Sequence, residues 1–184
     1  MRSVVAYELL SLDGVAESPD SFIHDWDPAM DANLGAAIAA QDAVILGRAS
    51  YEEWARFWPT SEIEPFATFI NGVQKYVATS TPLESGWAHS TRIEGDLTEF
   101  VGDLRSQPGG EIGLHASISL VPPLLAAGLI DELRLVIAPT LAGAGRRLLD
   151  GVPETRLELI SADSSPSGHV LVRYRVADPA GAGG

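Results

Sequence analysis

The chain contains no cysteine among its 184 residues. Disulfides, thiolate nucleophiles and cysteine-ligated metal sites are therefore excluded together. Basic side chains are also scarce, because 12 Lys and Arg stand against 25 Asp and Glu, giving a formal net charge of −13. Nucleic-acid-binding proteins normally carry a basic surface, so we expect no nucleic-acid partner. An anionic ligand would have to be bound by a few individually placed arginines.

Long apolar runs are missing as well. No stretch reaches the length of a membrane-spanning helix, and the N-terminus has no basic segment followed by an apolar core. We therefore expect a cytoplasmic protein with no membrane partner. The hydrophobic content of 46% and the charged content of 20% are typical of a globular chain with one full core. We expect one domain over residues 1–176 and a disordered, Gly-rich tail over 177–184.

Several familiar catalytic motifs are absent from the sequence. It has no Gly-x-Gly-x-x-Gly after the first predicted strand, no Walker A motif and no Gly-x-Ser-x-Gly elbow. Standard Rossmann, P-loop and serine hydrolase sites are therefore disfavoured. The four histidines (His24, His89, His115 and His169) show no metal-ligand spacing, so we expect no metal.

Two kinds of periodicity divide the chain into strands and helices. Strands are predicted over 4–10, 43–46, 75–79, 111–115, 133–137, 157–159 and 170–176. Helices are predicted over 28–40, from about residue 49, from about residue 97, and in a segment that ends at Gly128. A loop is expected around Trp58-Pro59. The early strands alternate with helices, whereas the last strands do not. This order predicts an α/β fold with a mixed, mostly parallel central sheet flanked by helices and completed by antiparallel C-terminal strands.

Local signals predict three helix starts. Asp27-Pro28 is typical of an N-cap followed by proline at the first helical position, and Asp96 with Glu99 resembles a capping box. Pro122-Pro123 cannot lie in a helix interior without breaking it. The helix before Gly128 is therefore expected to start late, with Ser119 as its cap, or to be kinked.

Three predicted strands end in small or polar residues, at Gly47-Arg48, at Thr79–Thr81 and at His115–Ser117. In α/β sheets, ligands bind beyond the carboxyl ends of parallel strands. An arginine beside helix N-terminal amides forms an anion site, and phosphate is the usual anion there. The three junctions together predict an extended dinucleotide lying across the strand ends.

Four motifs follow one another along the chain, at Ser11–Gly14, Leu46–Glu52, Gly128–Leu133 and Pro139–Gly145. In this order they resemble the dihydrofolate reductase superfamily, and within it the C-terminal reductase domain of bacterial riboflavin biosynthesis proteins and their stand-alone relatives. The resemblance covers nearly the whole chain. It implies a dihydrofolate reductase-like fold, a homodimer, a small-molecule substrate and NADPH as cofactor, with NADH as the alternative.

The resemblance also assigns the cofactor contacts. The phosphates of the cofactor would be contacted by residues 47–48, and the adenosine ribose would lie near residues 80–81. The turn at 115–117 would pass beneath the pyrophosphate, and the loop at 143–145 would approach the nicotinamide. Relatives usually have glycine where this chain has Ala116. The implied cofactor-binding residues are Leu12, Gly47, Arg48, Ser80, Thr81, Ala116, Ser117, Leu141, Gly143 and Gly145.

The catalytic acid rests on one spacing. Trp26-x4-Asp31 resembles the Trp and Asp of folate reductases, which makes Asp31 the candidate catalytic acid and Trp26 a substrate contact. An acidic residue in the first turn of a helix also stabilises the helix dipole without any catalytic role. Asp13 is a candidate substrate contact, and a role in holding its own loop is the alternative.

Three functions remain open at this stage. The first is an NAD(P)H-dependent reductase resembling 5-amino-6-(5-phosphoribosylamino)uracil reductase of riboflavin biosynthesis, with hydride transfer to a heteroaromatic or ribosyl-amino-pyrimidine-like substrate. The second is a dihydrofolate reductase, for which Asp31 is decisive. The third is a non-catalytic small-molecule binding module on the same fold, suggested by Ala116 and Pro122-Pro123.

Overall fold

Eight strands form one sheet in the computed structural model, which describes residues 1–177. The strands are β1 (Val4–Leu10), β2 (Gln41–Gly47), β3 (Gln74–Ala78), β4 (Ser90–Arg92), β5 (Glu111–His115), β6 (Glu132–Ile137), β7 (Leu157–Ser164) and β8 (Val170–Val176). Their order in the sheet is β4-β3-β2-β5-β1-β6-β8-β7. Neighbours from β4 to β6 pair in parallel, whereas β8 pairs antiparallel with both β6 and β7. The predicted mixed sheet is confirmed. The predicted tail lies outside the described residues, apart from Ala177.

Among the described residues, five α-helices flank the sheet: α1 (Pro28–Ile38), α2 (Arg48–Phe57), α3 (Phe66–Gly72), α4 (Leu97–Ser106) and α5 (Val121–Ala126). Asp27 caps α1 by accepting the N–H groups of Ala29 and Met30, and Asp96 caps α4 in the same way. Both predicted helix starts are therefore confirmed. α1 ends two residues before the predicted end.

The sequence pattern predicts neither α3 nor β4. α3 has seven residues and no side-chain cap, and it follows a 3-10 turn at Trp58–Thr60 in the segment expected to be a loop. β4 has three residues and is held by its pairing with β3, where the Lys75 N–H donates to the His89 carbonyl at 2.7 Å. Both elements are too short for a periodic pattern to develop.

The start of α5 corrects one prediction. The helix does start late, but it begins at Val121 after Leu120, and Ser119 is not its cap. Pro122 and Pro123 lie in the first turn, where an N–H would have no partner within the helix, so the two prolines are tolerated without a kink.

The central strands β1, β2, β5 and β6 are buried on both faces of the sheet. On one face, Ala6 packs in a cluster with Val101 of α4 and Leu124 of α5. On the other, Leu46 packs with Tyr51 of α2 and Ile70 of α3. None of the helices within residues 1–177 has both the length and the apolar character to cross a bilayer. With both faces covered, polar groups for ligand binding are concentrated at the ends of the strands.

Candidate active site

The three polar junctions lie side by side at one edge of the sheet. β3, β2 and β5 are parallel neighbours, so their carboxyl ends bring 79–81, 47–48 and 115–117 to the same edge in that order. β1 and β6 are the next parallel strands and add the loops at 11–17 and 138–147. The sheet order thus brings together all the segments that carry the predicted cofactor contacts.

The first turn of α2 is held against the turn that follows β5. Gly47, the residue before α2, is buried, and a Cβ atom added to it would lie 3.4 Å from Ser119 Oγ. The Ser50 hydroxyl donates to the Ala116 carbonyl at 2.5 Å. These contacts fix the spacing between the two strand ends where the phosphates are predicted to bind.

Arg48 is the first residue of α2, and its side chain is exposed. Its Nε donates to Glu52 Oε1 at 2.7 Å, one helical turn later, and this interaction raises the pKa of Arg48. Within residues 1–177 its two terminal nitrogens make no hydrogen bond. Arg48 therefore presents free donor nitrogens at the strand end, although Glu52 partly offsets its charge.

An open groove of about 610 Å³ lies beyond β3 and β4. It is lined by Ala78, Thr79, Ser80, Arg92, Ile93, Glu94 and Gly95. The Thr81 N–H donates to Thr79 Oγ1 at 3.2 Å, and the hydroxyl oxygens of these two threonines lie 3.1 Å apart. Of the two residues predicted to contact the ribose, Ser80 lines the groove and Thr81 follows it in a turn closed by Thr79.

Arg92 is a basic residue of this groove that the sequence analysis missed. Its Nη1 donates to the Ser80 carbonyl at 3.4 Å and its Nη2 to Glu94 Oε1 at 3.1 Å. The arginine is partly exposed and lies at the end of β4. Because β4 has only three residues, the sequence offers no periodic signal that would place Arg92 at a strand end.

The turn after β5 directs its polar groups inward. Ala116 has a φ of +47°, a conformation that glycine adopts more easily. Ser117 is buried, its N–H donates to Glu8 Oε1 at 3.0 Å, and its hydroxyl lies 2.8 Å from the His115 carbonyl oxygen. Ser117 thus orients the turn from inside the protein, and its direct contact with a cofactor stays a prediction.

Glu8 is a second residue that the sequence analysis missed. It lies on β1, is 3% exposed and shares a face of the sheet with Ala6 and Leu10. Burial raises the pKa of Glu8 to about 8, although the hydrogen bond from the Ser117 N–H acts in the opposite direction. The acid is therefore protonated at neutral pH. A lone carboxylate at an inward position of the apolar strand VVAYELL is the signal that could have identified it.

Asp13 joins the loop after β1 to the loop after β6. Its Oδ1 and Oδ2 accept the N–H groups of Ala142 and Gly143, each at 2.9 Å. The Ser11 hydroxyl donates to Oδ1 at 2.7 Å, and this bond, followed by the two backbone bonds, lowers the pKa of Asp13 to about 2. The contacts are those of the loop-holding role, and substrate contact by Asp13 stays a prediction.

The residues predicted on the nicotinamide side lie on these same two loops. Leu12 and Leu141 expose 66% and 72% of their surface, and the Leu12 N–H donates to the Thr140 carbonyl at 2.8 Å. Gly143 and Gly145 both have positive φ, +74° and +115°. The two loops therefore present a pair of exposed leucines on a backbone path that depends on glycine.

Trp26 and Asp31 are in direct contact. The indole Nε1–H of Trp26 donates to Asp31 Oδ1 at 2.7 Å, and Asp31 is exposed in the first turn of α1. Tyr7 of β1 is affected by this carboxylate. Burial, and then the negative charge of Asp31, raise the pKa of the Tyr7 phenol. The Tyr7 hydroxyl donates to Asn33 Oδ1 at 3.1 Å. The structure thus brings the predicted acid and the predicted aromatic contact together, near a buried phenol on β1.

His115 lies at the end of β5 and is buried. Burial, and then the positive charge of Arg134, lower the pKa of His115 to about 3, so the imidazole is neutral. Its Nε2 lies 2.8 Å from Gln41 Oε1, and its ring packs against Tyr7 and Phe66. No group of three or more His, Cys, Asp or Glu in the described part of the chain is arranged to hold a metal ion.

Two proteins of Bacillus subtilis (strain 168) are similar over most of their length. The uncharacterized protein YyaP is 27% identical over 180 residues, which cover 94% of each chain. The uncharacterized protein YwjB is 28% identical over 163 residues, which cover 86% of this chain and 89% of its own.

The fold is similar to three solved structures at low identity. A pyrimidine reductase-like protein of Corynebacterium diphtheriae gives a TM-score of 0.67 at 16% identity, with 96% of this chain and 92% of that chain covered. A diaminohydroxyphosphoribosylaminopyrimidine deaminase/5-amino-6-(5-phosphoribosylamino)uracil reductase of Thermotoga maritima gives 0.69 at 13%, with 96% and 57% covered. Dihydrofolate reductase of Enterococcus faecalis, complexed with NADP(H), gives 0.62 at 15%, with 96% and 97% covered. The fold is therefore dihydrofolate reductase-like, as predicted.

The sequence model described as the RibD C-terminal domain matches residues 2–171, which is nearly the full length of the chain. This match agrees with the order of the sheet and with the position of the junctions at its edge. The chain belongs to the RibD C-terminal domain family.

Proposed function

We propose that this chain is an NADPH-dependent reductase that acts on a heteroaromatic or ribosyl-amino-pyrimidine-like compound. The observation that carries the proposal is the order of the polar segments along one sheet edge, from 79–81 through 47–48 and 115–117 to the loops at 11–17 and 138–147. An extended dinucleotide requires such a row of neighbouring contacts.

The adenosine end of the cofactor would lie in the groove beyond β3 and β4. Ser80 offers a hydroxyl group there, Thr81 follows it in the turn, and Arg92 offers a positive charge. The pyrophosphate would follow at the first turn of α2, where Gly47 allows close approach and Arg48 supplies guanidinium donors. Arg92, near the predicted 2′-phosphate, favours NADPH over NADH despite the net charge of −13, whereas Arg48 would serve either nucleotide because both contain the pyrophosphate.

The nicotinamide end would lie between the loops after β1 and β6. Leu12 and Leu141 are exposed there and match the apolar face of a nicotinamide ring. When bound, the cofactor would supply a hydride. Asp13 fixes the distance between the two loops through Ala142 and Gly143, and burial of the leucines under the ring would exclude water.

The substrate would lie next to Trp26 and Asp31. Reduction of a heteroaromatic ring needs a proton as well as a hydride, and the Asp31 carboxyl is exposed and oriented by the Trp26 indole. In this proposal Asp31 holds or relays that proton, directly or through a water, while Trp26 keeps its carboxylate in place.

A direct test is to mix the purified protein with NADPH and, separately, a dihydropterin or a ribosylamino-pyrimidine, and to follow NADPH oxidation by absorbance. We expect substrate-dependent oxidation with at least one member of these classes. Oxidation with dihydrofolate alone would favour the dihydrofolate reductase alternative, for which the Trp26–Asp31 hydrogen bond is the supporting observation. Binding of NADPH without oxidation by any of them would favour the non-catalytic binding module, for which the left-handed conformation of Ala116, with a φ of +47°, is the supporting observation.

A homodimer is also proposed from the family resemblance. β7 is one of the two edge strands of the described sheet, and its Leu159 and Ile160 are exposed. An exposed edge strand with apolar side chains is a suitable surface for a second copy of the chain. An elution volume and light-scattering mass equal to those of a monomer would contradict this proposal.

A further inference from the structure

We propose that Glu8 is a positioning residue for dinucleotide binding, and that its buried carboxyl group holds the turn at 116–117 in a form that accepts a pyrophosphate. This inference rests on the proposed cofactor site. Glu8 Oε1 accepts the Ser117 N–H at 3.0 Å from beneath, while Ser50 of α2 donates to the Ala116 carbonyl from the other side. The turn where the pyrophosphate is predicted to bind is thus held from two sides by one buried acid and one helix hydroxyl, in addition to the bonds that Ser117 Oγ makes to the His115 and Ile45 carbonyls.

The surroundings of Glu8 offer no compensation for a negative charge. Side chains on its face of the sheet belong to an apolar cluster that includes Leu10 of β1, Leu114 of β5, Leu135 of β6, Leu120 just before α5 and Val121 at the start of α5. No cation contributes to the pKa of Glu8, which burial raises to about 8. An ionised Glu8 would therefore be an unpaired buried anion.

The charged residues nearest to Glu8 along the sheet and along the chain lie on the other face of the sheet or are engaged in other contacts. His115 and Arg134 are in register with Tyr7, so they project from the opposite face. Asp13, the next charged residue along the chain, is engaged with the loop after β6. Lys75, whose pKa burial lowers to about 8, donates to carbonyls at the end of α3 on the opposite face.

A cofactor pyrophosphate and an ionised Glu8 would repel each other across the same turn. Only the protonated form of Glu8 adds no negative charge next to the anionic ligand. Binding of the dinucleotide should therefore take up a proton near and above pH 8, because the ligand favours the protonated acid. Repulsion between like charges at this range corresponds to a loss of affinity of about tenfold.

The test is isothermal titration calorimetry of the full-length protein with NADPH, from about pH 7 to about pH 9, in pairs of buffers with different ionisation enthalpies. The 2′-phosphate is fully ionised in this range, because its second pKa lies near about 6. Glu8→Gln keeps a carbonyl oxygen that can accept the Ser117 N–H but cannot ionise, and Glu62→Gln is the matched control at an exposed position. Adenosine 2′-monophosphate, which lacks a pyrophosphate, is the control ligand.

We expect wild type and Glu62→Gln to lose about tenfold in NADPH affinity over this range and to take up a proton on binding. Glu8→Gln should bind with nearly constant affinity and without that proton uptake, and adenosine 2′-monophosphate should show neither effect in any variant.

Equal pH slopes in wild type and Glu8→Gln would overturn the inference while leaving the proposed cofactor site in place. No NADPH binding by wild type at neutral pH would instead overturn the proposed function and this inference with it. If Glu8→Gln does not fold, absence of proton uptake by wild type alone would overturn the inference.

Discussion

The Asp13 carboxylate accepts the backbone N–H of Gly143 at 2.9 Å, across 130 residues of sequence. Together with the bond to Ala142, this contact fixes the loop after β6 against the loop after β1. The two loops carry the exposed leucines of the proposed nicotinamide site. The Asp13 carboxylate therefore contributes to their relative position, together with the backbone bond from the Leu12 N–H to the Thr140 carbonyl.

Replacing Asp13 with Asn should loosen the loop after β6, because an amide has one acceptor oxygen where the carboxylate has two. Arg146 and Arg147 lie in this loop and are exposed. The rate of trypsin cleavage after these two residues therefore measures the mobility of the loop. We expect faster cleavage there in Asp13→Asn than in wild type or in Asp25→Asn, a control at an exposed position. Equal cleavage rates would contradict the loop-holding role.

The same contact should persist to strongly acidic pH. The pKa of Asp13 is lowered to about 2 in the folded protein, so the carboxylate stays ionised as pH falls through the range where an unfolded Asp gains its proton. Its contribution is present above that range and is lost as pH falls towards about 2. Trypsin does not work in acid, so pepsin cleavage of the loop, compared between wild type and Asp13→Asn, is the suitable measurement.

Arg48 and Arg92 should both contribute to NADPH affinity. Loss of a charge-assisted contact with phosphate is expected to weaken binding about tenfold or more in Arg48→Ala and Arg92→Ala. Arg56→Ala is the matched control, because Arg56 is exposed in the last turn of the same helix as Arg48. If Arg92 binds the 2′-phosphate, its variant should lose the preference for NADPH over NADH. Unchanged affinities in both variants would exclude a role for these arginines.

Asp31→Asn is expected to abolish any dihydrofolate turnover, because the amide cannot supply or relay a proton, while NADPH affinity stays unchanged. Trp26→Phe should lower turnover by less, since it removes only the indole donor at 2.7 Å. Steady-state rates and NADPH affinity measured side by side separate the two steps. A wild-type rate in Asp31→Asn would assign this residue to the helix dipole alone.

The contributions of Glu8 and Lys75 to stability should depend on pH in opposite directions. Glu8 has a raised pKa, so the folded protein retains a proton that the unfolded chain loses, and the Glu8 contribution falls between about 4.5 and 8. His115, whose pKa burial lowers to about 3, acts in the opposite direction up to about 6.5, so the net decrease lies between about 6.5 and 8. Lys75 has a lowered pKa, so its contribution rises from about 8 towards 10.5. Each slope approaches about 1.4 kcal/mol per pH unit. Urea unfolding of wild type, Glu8→Gln and Lys75→Met would show which slope each variant removes, and an unchanged curve in Glu8→Gln would contradict the buried-acid assignment.

Gly145→Ala should destabilise the loop after β6. A Cβ atom there would lie 2.7 Å from Val15 Cγ1, and the φ of +115° is unfavourable for alanine. We expect a loss of about 1–3 kcal/mol, measured by thermal unfolding. Gly72→Ala, at a position with no atom within 4 Å of the added Cβ, should unfold at or above the wild-type temperature. A stable Gly145→Ala would show that the loop can rearrange.

Local signals in the sequence were sufficient for much of the fold. The caps at Asp27 and Asp96 act on their own helices, so spacing alone identifies them. β4 depends on backbone bonds to β3 and has no periodic pattern of its own. The sequence therefore could not predict that Arg92 lies at the end of a strand. The link from Glu8 to Ser117 spans 109 residues and exists only because β1 lies beside β5. Sequence periodicity indicates which residues face inward, but not which distant group they meet.

The central claim is that an extended dinucleotide binds along the strand ends. The most direct measurement is a titration of the full-length wild-type protein with NADPH and with NADH, followed by the fluorescence of its four tryptophans and by melting temperature. Saturable binding of NADPH in the micromolar range, with weaker binding of NADH and a rise in melting temperature, is the predicted result. No response to either nucleotide at millimolar concentration would contradict the account.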